Sequence, residues 1–332
     1  MNKILLTGDL HISKGIFVDI GLDYLEHLTD FCKEHDDKIE IVFLGDIFEK
    51  SARIYNEAFV PVFKKLHEMS KTINMSFIVG NHDIYSANME DSIVHTFSAS
   101  GRVIKDWYSK HGLDFLSYTK DEEKLLHFIN SNEVKKYLFT HLSIADFKFD
   151  NNYHVNEKIA FKPDLFSDYM NVFSGHFHNH QSKHNIVYVG SPYQITFSEE
   201  GQKKGFVLLD YENSYQWKFV EYNNAPEHLT ISVEDIKKLD EIDFKNKFIK
   251  VKINKKVDEF VKLKYILYER GALTVTPDFY TDEINIENQE TSVDMSSSVE
   301  SIVREHINSI KADGIGNKKL LDIFDNKILK KV

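Results

Sequence analysis

The chain predicts a layered α/β fold, four layers deep, in which two packed mixed sheets lie between outer helices. Two patterns carry this expectation. Through the first two-thirds, short apolar runs alternate with stretches of helical period. After about residue 180 the runs follow one another without intervening helices, as in a mixed or antiparallel sheet.

The strands come first. Ile4-Leu5-Leu6, Ile41-Val42-Phe43-Leu44, Phe77-Ile78-Val79, Tyr137-Leu138-Phe139 and Val172-Phe173 are short and apolar throughout, as buried strands are. Between them, Phe17 to His35 places Ile20, Leu22, Leu25, Leu28 and Phe31 near a 3.6-residue repeat. Asn56 to Met69 does the same with Phe59, Val60, Val62, Phe63 and Leu66. Further helices are expected from about Asn88 to Ser98 and from Asp121 to Ile129. Ile186 to Val189, Gly205 to Leu209 and Trp217 to Val220 read as consecutive strands.

A boundary is expected at Asn223-Asn224-Ala225-Pro226, which closes a first domain of residues 1–223. Residues 227–285 then form a small α+β unit. Within it Phe248 to Ile253 alternates with period two, Val257 to Arg270 is helical and Leu273 to Thr276 is a strand. Residues 286–298 are polar and aperiodic, as a flexible linker is. Residues 299–332 read as two short helices. Their apolar positions, from Val299 and Ile302 to Ile328 and Leu329, have little to pack on and suit docking onto a partner.

Composition narrows the class. The chain has 332 residues, with 42% hydrophobic and 13% aromatic, so it is globular rather than disordered. Cys32 is the single cysteine, which excludes an internal disulfide and suits a reducing cytoplasm. It has no base near it in sequence and reads as core packing. The first residues read as a strand, so no secretory signal is expected, and no apolar run approaches the roughly 18 residues of a membrane span. Net charge is −11, from 41 basic and 52 acidic residues, which argues against a general nucleic-acid binder. The distribution is uneven, however. Asp243 to Lys264 holds eight lysines against three acids, and Ser301 to Val332 holds seven basic residues against four acids. A phosphodiester substrate therefore stays open.

The chemistry sits where the strands end. The runs lead into Gly8-Asp9-Leu10-His11, Gly45-Asp46, Gly80-Asn81-His82-Asp83, Thr140-His141 and Gly175-His176-Phe177-His178. Strand ends of an α/β sheet gather in one crevice, so ligands far apart in sequence converge. Carboxylate, amide and imidazole donors without a thiolate suit Mn²⁺, Mg²⁺, Fe²⁺ or Zn²⁺. Seven ligands (Asp9, His11, Asp46, Asn81, His141, His176 and His178) are too many for one ion and suit two that share a carboxylate. Asp9 and His11 are expected on an extended segment with Leu10 pointing the other way, and His176 and His178 likewise around Phe177. Two ions ~3.5–4 Å apart can activate a water and clamp a phosphate for in-line attack. His82, beside Asn81, is placed to stabilise the phosphate or protonate the leaving oxygen, with Asp83 orienting its imidazole. The histidines at 27, 35, 67 and 95 read as structural; His180 and His184 stay ambiguous.

These motifs resemble the calcineurin-like metallophosphoesterases, whose pattern is D-x-H, G-D, G-N-H-[DE], a single H and G-H-x-H. The resemblance implies one ion on Asp9, His11, Asp46 and His178 and a second on Asp46, Asn81, His141 and His176. It makes His82 the catalytic histidine. Gly45-Asp46-Ile47-Phe48 and Gly190-Ser191-Pro192-Tyr193-Gln194 look like the SbcD-type DNA-repair nucleases, including phage recombination endonuclease subunits.

That branch implies 3′→5′ exonuclease and single-strand endonuclease activity, Mn²⁺ as the usual activator with Mg²⁺ as the other candidate, and a capping domain at 227–285. It also implies an SMC-like ATPase of the SbcC type gripped through 299–332, DNA ends and hairpins as substrate, and a homodimer. The apolar surface of Asn56 to Met69 is the candidate for dimer contact, or else faces the sheet. Glu49 stands where some members have a second histidine. A phosphatase or cyclic-nucleotide phosphodiesterase with the same metal core is the alternative, and a non-enzymatic DNA-end clamp a third.

Overall fold

A computed structural model describes residues 2–35, 38–50, 53–86, 91–148, 160–212, 215–232, 242–253 and 257–279. All of them fall in one compact unit, Met1–Tyr280. The expected linker at 286–298 and the helices at 299–332 lie outside the described residues.

The first sheet is built on β1 (Asn2–Thr7), β2 (Lys38–Phe43), β3 (Asn74–Ile78) and β4 (Arg102–Ile104), parallel and adjacent in that order. The second contains β5 (Trp107–Lys110), β6 (Leu113–Leu116), β7 (Tyr137–Thr140), β8 (Asn171–Ser174), β9 (Gln181–Lys183) and β10 (Ile186–Tyr188), in the order β5-β6-β7-β8-β10-β9. Its β6, β7, β8 and β10 run parallel, with antiparallel β5 and β9 on the edges. The chain then returns to the first sheet. There β11 (Gly205–Asp210) pairs antiparallel with β1, and β12 (Gln216–Glu221) with β11. Ile186–Tyr188 and Gly205–Asp210 were expected as neighbours in one sheet and belong to different ones. Periodicity identifies a strand but carries no information about its hydrogen-bonding partner.

Side-chain alternation along the strands produces the layers. Leu5, Ile41, Phe43, Phe206 and Leu208 pack beneath α1 (Ile16–Glu34) and α2 (Asn56–Met69). Ile4, Leu6, Val42, Val207 and Leu209 turn the other way and meet Tyr137, Phe139, Phe173 and Val187 of the second sheet. Leu138, Val172, Ile186 and Tyr188 face outward from that sheet, against Leu125, Phe128 and Ile129 of α3 (Glu122–Ser131). The order is helices, sheet, sheet, helix. Asp121 caps α3 by accepting the Lys124 N–H at 3.1 Å. In α2, Ala58, Val62, Leu66 and Met69 are buried in the core, so its apolar stripe faces the sheet and leaves Val60 exposed.

The helix expected from Asn88 is a 3₁₀ turn, Ile93–Ala99, with residues 88–90 outside the described set. Its β-branched residues and serines are weak helix formers, and Ser92 caps the tighter turn by accepting the Val94 N–H.

A third sheet follows, of β13 (Glu227–Ser232), β14 (Lys247–Ile253) and β15 (Thr274–Phe279), all parallel, with α4 (Val257–Glu269) crossing between the last two. Phe260, Leu263 and Leu267 of α4 join Ile249, Val251 and Val275 in its own small core.

Candidate metal centre

The sandwich brings the ends of β1, β2 and β3 in the first sheet to those of β7 and β8 in the second. Asp9 and His11 follow β1, Asp46 follows β2, and Asn81, His82 and Asp83 follow β3. His141 follows β7, and His176 and His178 follow β8.

The loops are laced by backbone hydrogen bonds from Asp9 N to Gly45 O at 3.0 Å and His11 N to Asp46 O at 3.1 Å. They are held in uncommon backbone conformations. Asp9, His11, Asp46 and His176 have φ of 52°, 45°, 53° and 94°. Residues in such sparsely populated regions cluster at functional sites. The segment from Asp9 to His11 is therefore not extended, as the sequence suggested. Left-handed residues on both sides of Leu10 bury that leucine in the helical core and still aim both donors into the site.

Two glycines make the close approach of the loops possible. A Cβ on Gly45, at φ +96°, would lie 2.7 Å from the Gly80 backbone, and one on Gly80 would lie 2.2 Å from Asp46 Oδ1.

The donors converge. His11 Nε2 and His178 Nε2 are 3.0 Å apart, and Asp9 completes a group of three with them. His141 Nε2 is 3.2 Å from Asp46 Oδ2 and 3.0 Å from Asn81 Oδ1. His176 Nδ1 is 2.8 Å from the same amide oxygen, and Asp46, His141 and His176 form another group. Asp46 Oδ2 also lies 3.7 Å from His11 Nε2, so one carboxylate borders both groups. All seven expected donors lie in this cluster, with Asp9 and His141 buried beneath it.

The outer hydrogen bonds orient the lone pairs. Nδ1 of His141 donates to Leu44 O at 2.6 Å, and Nδ1 of His178 to Glu199 Oε1 at 2.9 Å. Nδ1 of His11 donates to Glu49 Oε2 at 2.9 Å, and Nδ1 of His82 to Glu49 O at 2.6 Å. In all four the acceptor fixes a proton on Nδ1 and leaves Nε2 to face the site, while His176 presents Nδ1 to Asn81. Two Nε2 atoms held 3.0 Å apart need a proton or a cation between them, so the donor set fits metal.

Charge agrees with this. Burial opposes ionisation of Asp46, yet His141, His11 and His82 hold its carboxyl well below the usual range. Burial likewise opposes a proton on His141, but Asp46 carries that imidazole up to about 9. Burial and the neighbouring His141 push His176 down to about 3. The buried Asp46 charge is thus balanced by the imidazoles around it.

Asp83 corrects one expectation. Its carboxylate does not orient the His82 imidazole, which the Glu49 carbonyl holds. It accepts the backbone N–H groups of Asp46 at 2.8 Å, Gly80 at 2.9 Å and Ile47 at 3.2 Å. Its short side chain, buried beneath the loops, reaches amides rather than the ring. Burial, with the Asp46 charge adding, raises its carboxyl to about 7.

The sequence reading missed Glu199 and Lys204. Glu199 is buried, accepts from His178, and pairs with Lys204 Nζ at 2.7 Å. Lys204 also donates to His178 O and Ser191 Oγ, both at 2.8 Å. Burial works against the Glu199 charge, yet the His178 hydrogen bond and Lys204 hold the carboxyl down at about 2. No local motif marks either residue. The Gly190-to-Gln194 stretch does have visible work. Ser191 N donates to His178 O, the Tyr193 hydroxyl donates to Leu10 O, and Gln194 Oε1 accepts from His228 N of β13 at 2.6 Å. His180 donates to the Tyr188 and Val189 carbonyls and stacks on Phe219, a structural role.

Residues 2–180, over half the chain, match the family described as calcineurin-like phosphoesterase. The chain belongs to the calcineurin-like phosphoesterases. Over 346 aligned positions, covering 98% of each chain, it is 24% identical to exonuclease subunit 1 of Enterobacteria phage T4. Among solved structures, an archaeal phosphodiesterase aligns with TM-score 0.36 and 10% identity, over 66% of this chain and 99% of its own. Nuclease MPE of Pseudomonas putida aligns with TM-score 0.28 and 16% identity, over 62% of this chain and 84% of its own. As a calcineurin-like phosphoesterase the chain is a hydrolase of phosphate esters. Among its described residues, no helix is long and apolar enough to cross a membrane.

Proposed function

We propose that this phosphoesterase is the nuclease subunit of a DNA-processing complex. The observation that carries the reading is the end-to-end resemblance to a phage exonuclease subunit, joined to a pocket whose donors fit two divalent ions. Asp9, His11, Asp46 and His178 would hold one ion, and Asp46, Asn81, His141 and His176 the other, with Mn²⁺ or Mg²⁺ as occupants. The ions supply Lewis acidity and a water acidified toward neutrality. Asp46 would serve both sites, while Glu49, Leu44 O and Glu199 fix the imidazoles. His82 turns its Nε2 toward the pocket, where it stabilises the phosphate or protonates the departing oxygen. Asp83 is a positioning residue that ties the Gly80 and Asp46 loops together.

A neighbouring cleft supports a polymeric substrate. It holds about 330 Å³, is lined by Lys14, Lys50, Arg53 and Tyr55, and shares Ser13 and Glu49 with the metal pocket. Three cations and an exposed tyrosine beside a phosphodiesterase centre suit a nucleic-acid backbone. Residues 299–332 are proposed to dock on an SMC-like ATPase, the complex acting in the cytoplasm as a homodimer of this subunit.

The deciding experiment is cleavage of linear and hairpin DNA with Mn²⁺ or Mg²⁺, with and without the partner ATPase. His82→Ala should retain metal yet lose roughly 10²–10⁴-fold in rate. Normal DNA degradation by that variant would instead support a non-enzymatic end clamp. Hydrolysis of phosphoproteins or cyclic nucleotides without DNA cleavage would favour the phosphatase alternative. Removing 299–332 should spare a small phosphodiester and abolish ATP-stimulated DNA cleavage.

A further inference from the structure

Four residues lining the metal pocket are neither proposed donors nor the His82 and Glu49 pair: Ser13, Phe17, Ile195 and Thr196. Two of them are apolar. Phe17 lies in the first turn of α1 and is half-buried. Its ring stacks on Phe248 of β14 at 5.5 Å between centroids and 9° between planes. Phe248 stacks in turn on His228 of β13 at 4.8 Å and 14°. His228 meets Phe197 edge-on at 4.5 Å, just past the Ile195-Thr196 wall of the pocket. Three near-parallel rings, two of them from the third sheet, hold Phe17 in place at the rim of the site. A ring fixed in this way has already lost the rotamer freedom that stacking would otherwise cost.

We propose that Phe17 is a substrate-positioning residue that stacks on an unpaired nucleobase next to the scissile phosphate, and that the third sheet serves to hold it there. The inference rests on the nuclease reading and names what that site selects. Phosphate at the metal site would place the flanking nucleoside against the remaining wall, whose apolar surface comes from the Phe17 ring and Ile195. A base inside a duplex has both faces covered by its neighbours, so this wall favours single strands and frayed ends. Stacking on an aromatic side chain is tolerant of sequence, because every base has a π face.

The test uses the full chain with Mn²⁺ and two single-stranded oligonucleotides, one intact and one with abasic sites flanking the scissile phosphate. Phe17→Leu keeps apolar bulk against Phe248 but removes the ring. On intact DNA it should raise KM by about tenfold or more, in line with measured base–aromatic stacking, with kcat little changed. Phe17→Trp should restore the wild-type KM. On abasic DNA the wild type should already show the raised KM, and Phe17→Leu should add nothing. Equal impairment on both substrates would mean that Phe17 acts only in docking the third sheet and overturns the proposal. So would a variant unaffected on both. A wild-type protein that cleaves neither oligonucleotide overturns the nuclease reading itself, and this inference with it.

Discussion

Glu199 shows how much of the site rests on residues that never reach the substrate. It carries the half-buried His178 imidazole on one oxygen and the buried Lys204 ammonium on the other. Glu199→Gln keeps the shape and removes the charge, leaving Lys204 buried without its partner. We expect a loss of roughly 3–5 kcal/mol, as when one member of a buried pair is removed. Mn²⁺ affinity should fall about 10–100-fold, the usual consequence of losing a group that orients a ligand. Denaturant titration and calorimetry measure the two effects.

The pH dependence has a definite sign. Because the folded carboxyl is held down at about 2, its contribution is complete above the ordinary carboxylate range and is lost as the pH falls through about 2. Gly45→Ala is a second sharp test. Its φ of +96° and the 2.7 Å approach to Gly80 give a new methyl no room. A cost of about 1–3 kcal/mol from backbone strain alone is expected, read as a lowered denaturation midpoint.

Among the elements, the third sheet holds to the core by rings and side-chain acceptors. His228 and Phe248 enter the stack with Phe17, and Glu200 accepts both the amide and the hydroxyl of Thr230. Burial pushes His228 down to about 4, with Glu199 and Glu200 pulling the other way. A histidine with a depressed folded value favours folding at high pH. Stability should decline as the pH falls through the ordinary histidine value of 6.5 toward about 4, since the unfolded chain takes up the proton first. His228→Phe keeps a ring between Phe197 and Phe248 and should flatten that slope. Melting of both proteins from pH 7 to 5, in chelator so that the metal-site histidines contribute equally, shows the difference.

Helices α1, α2 and α3 were legible in the sequence because a wide apolar face leaves a 3.6-residue signature. The strands leading into donors were legible because uniform apolarity marks a strand buried on both sides. Strands β4, β5, β6 and β9 escaped, being short and interrupted by polar residues. So did β13, where Glu227, His228 and Thr230 break the alternation. The seven proposed donors stood out in the sequence because their identity is local. What orients them did not. Leu44 contributes a carbonyl, which any residue carries, and Glu199 stands 21 residues from the histidine it holds.

For the whole molecule, the seam between the two sheets decides both stability and the site. Phe139 and Phe173 stack across β7 and β8 at 6.0 Å, fully buried between the layers. Phe139→Ala should cost about 3–5 kcal/mol, whereas Tyr265→Ala, at a position 68% exposed on α4, should stay within about 0.5 kcal/mol. The proposed donors divide along the same seam. The first sheet brings Asp9, His11, Asp46 and Asn81, and the second brings only the imidazoles of His141, His176 and His178. Bound Mn²⁺ should therefore raise the melting temperature and do so cooperatively, since the ions bind the assembled pair far better than the unfolded chain. A scan with increasing Mn²⁺ measures this, and an unchanged transition would mean the donors do not act together. The division has one more consequence. Neither half of a newly made or partly unravelled chain holds the full reagent, so the blade exists only once the handle is closed around it. A phosphoesterase is thereby kept blunt until its folding is finished.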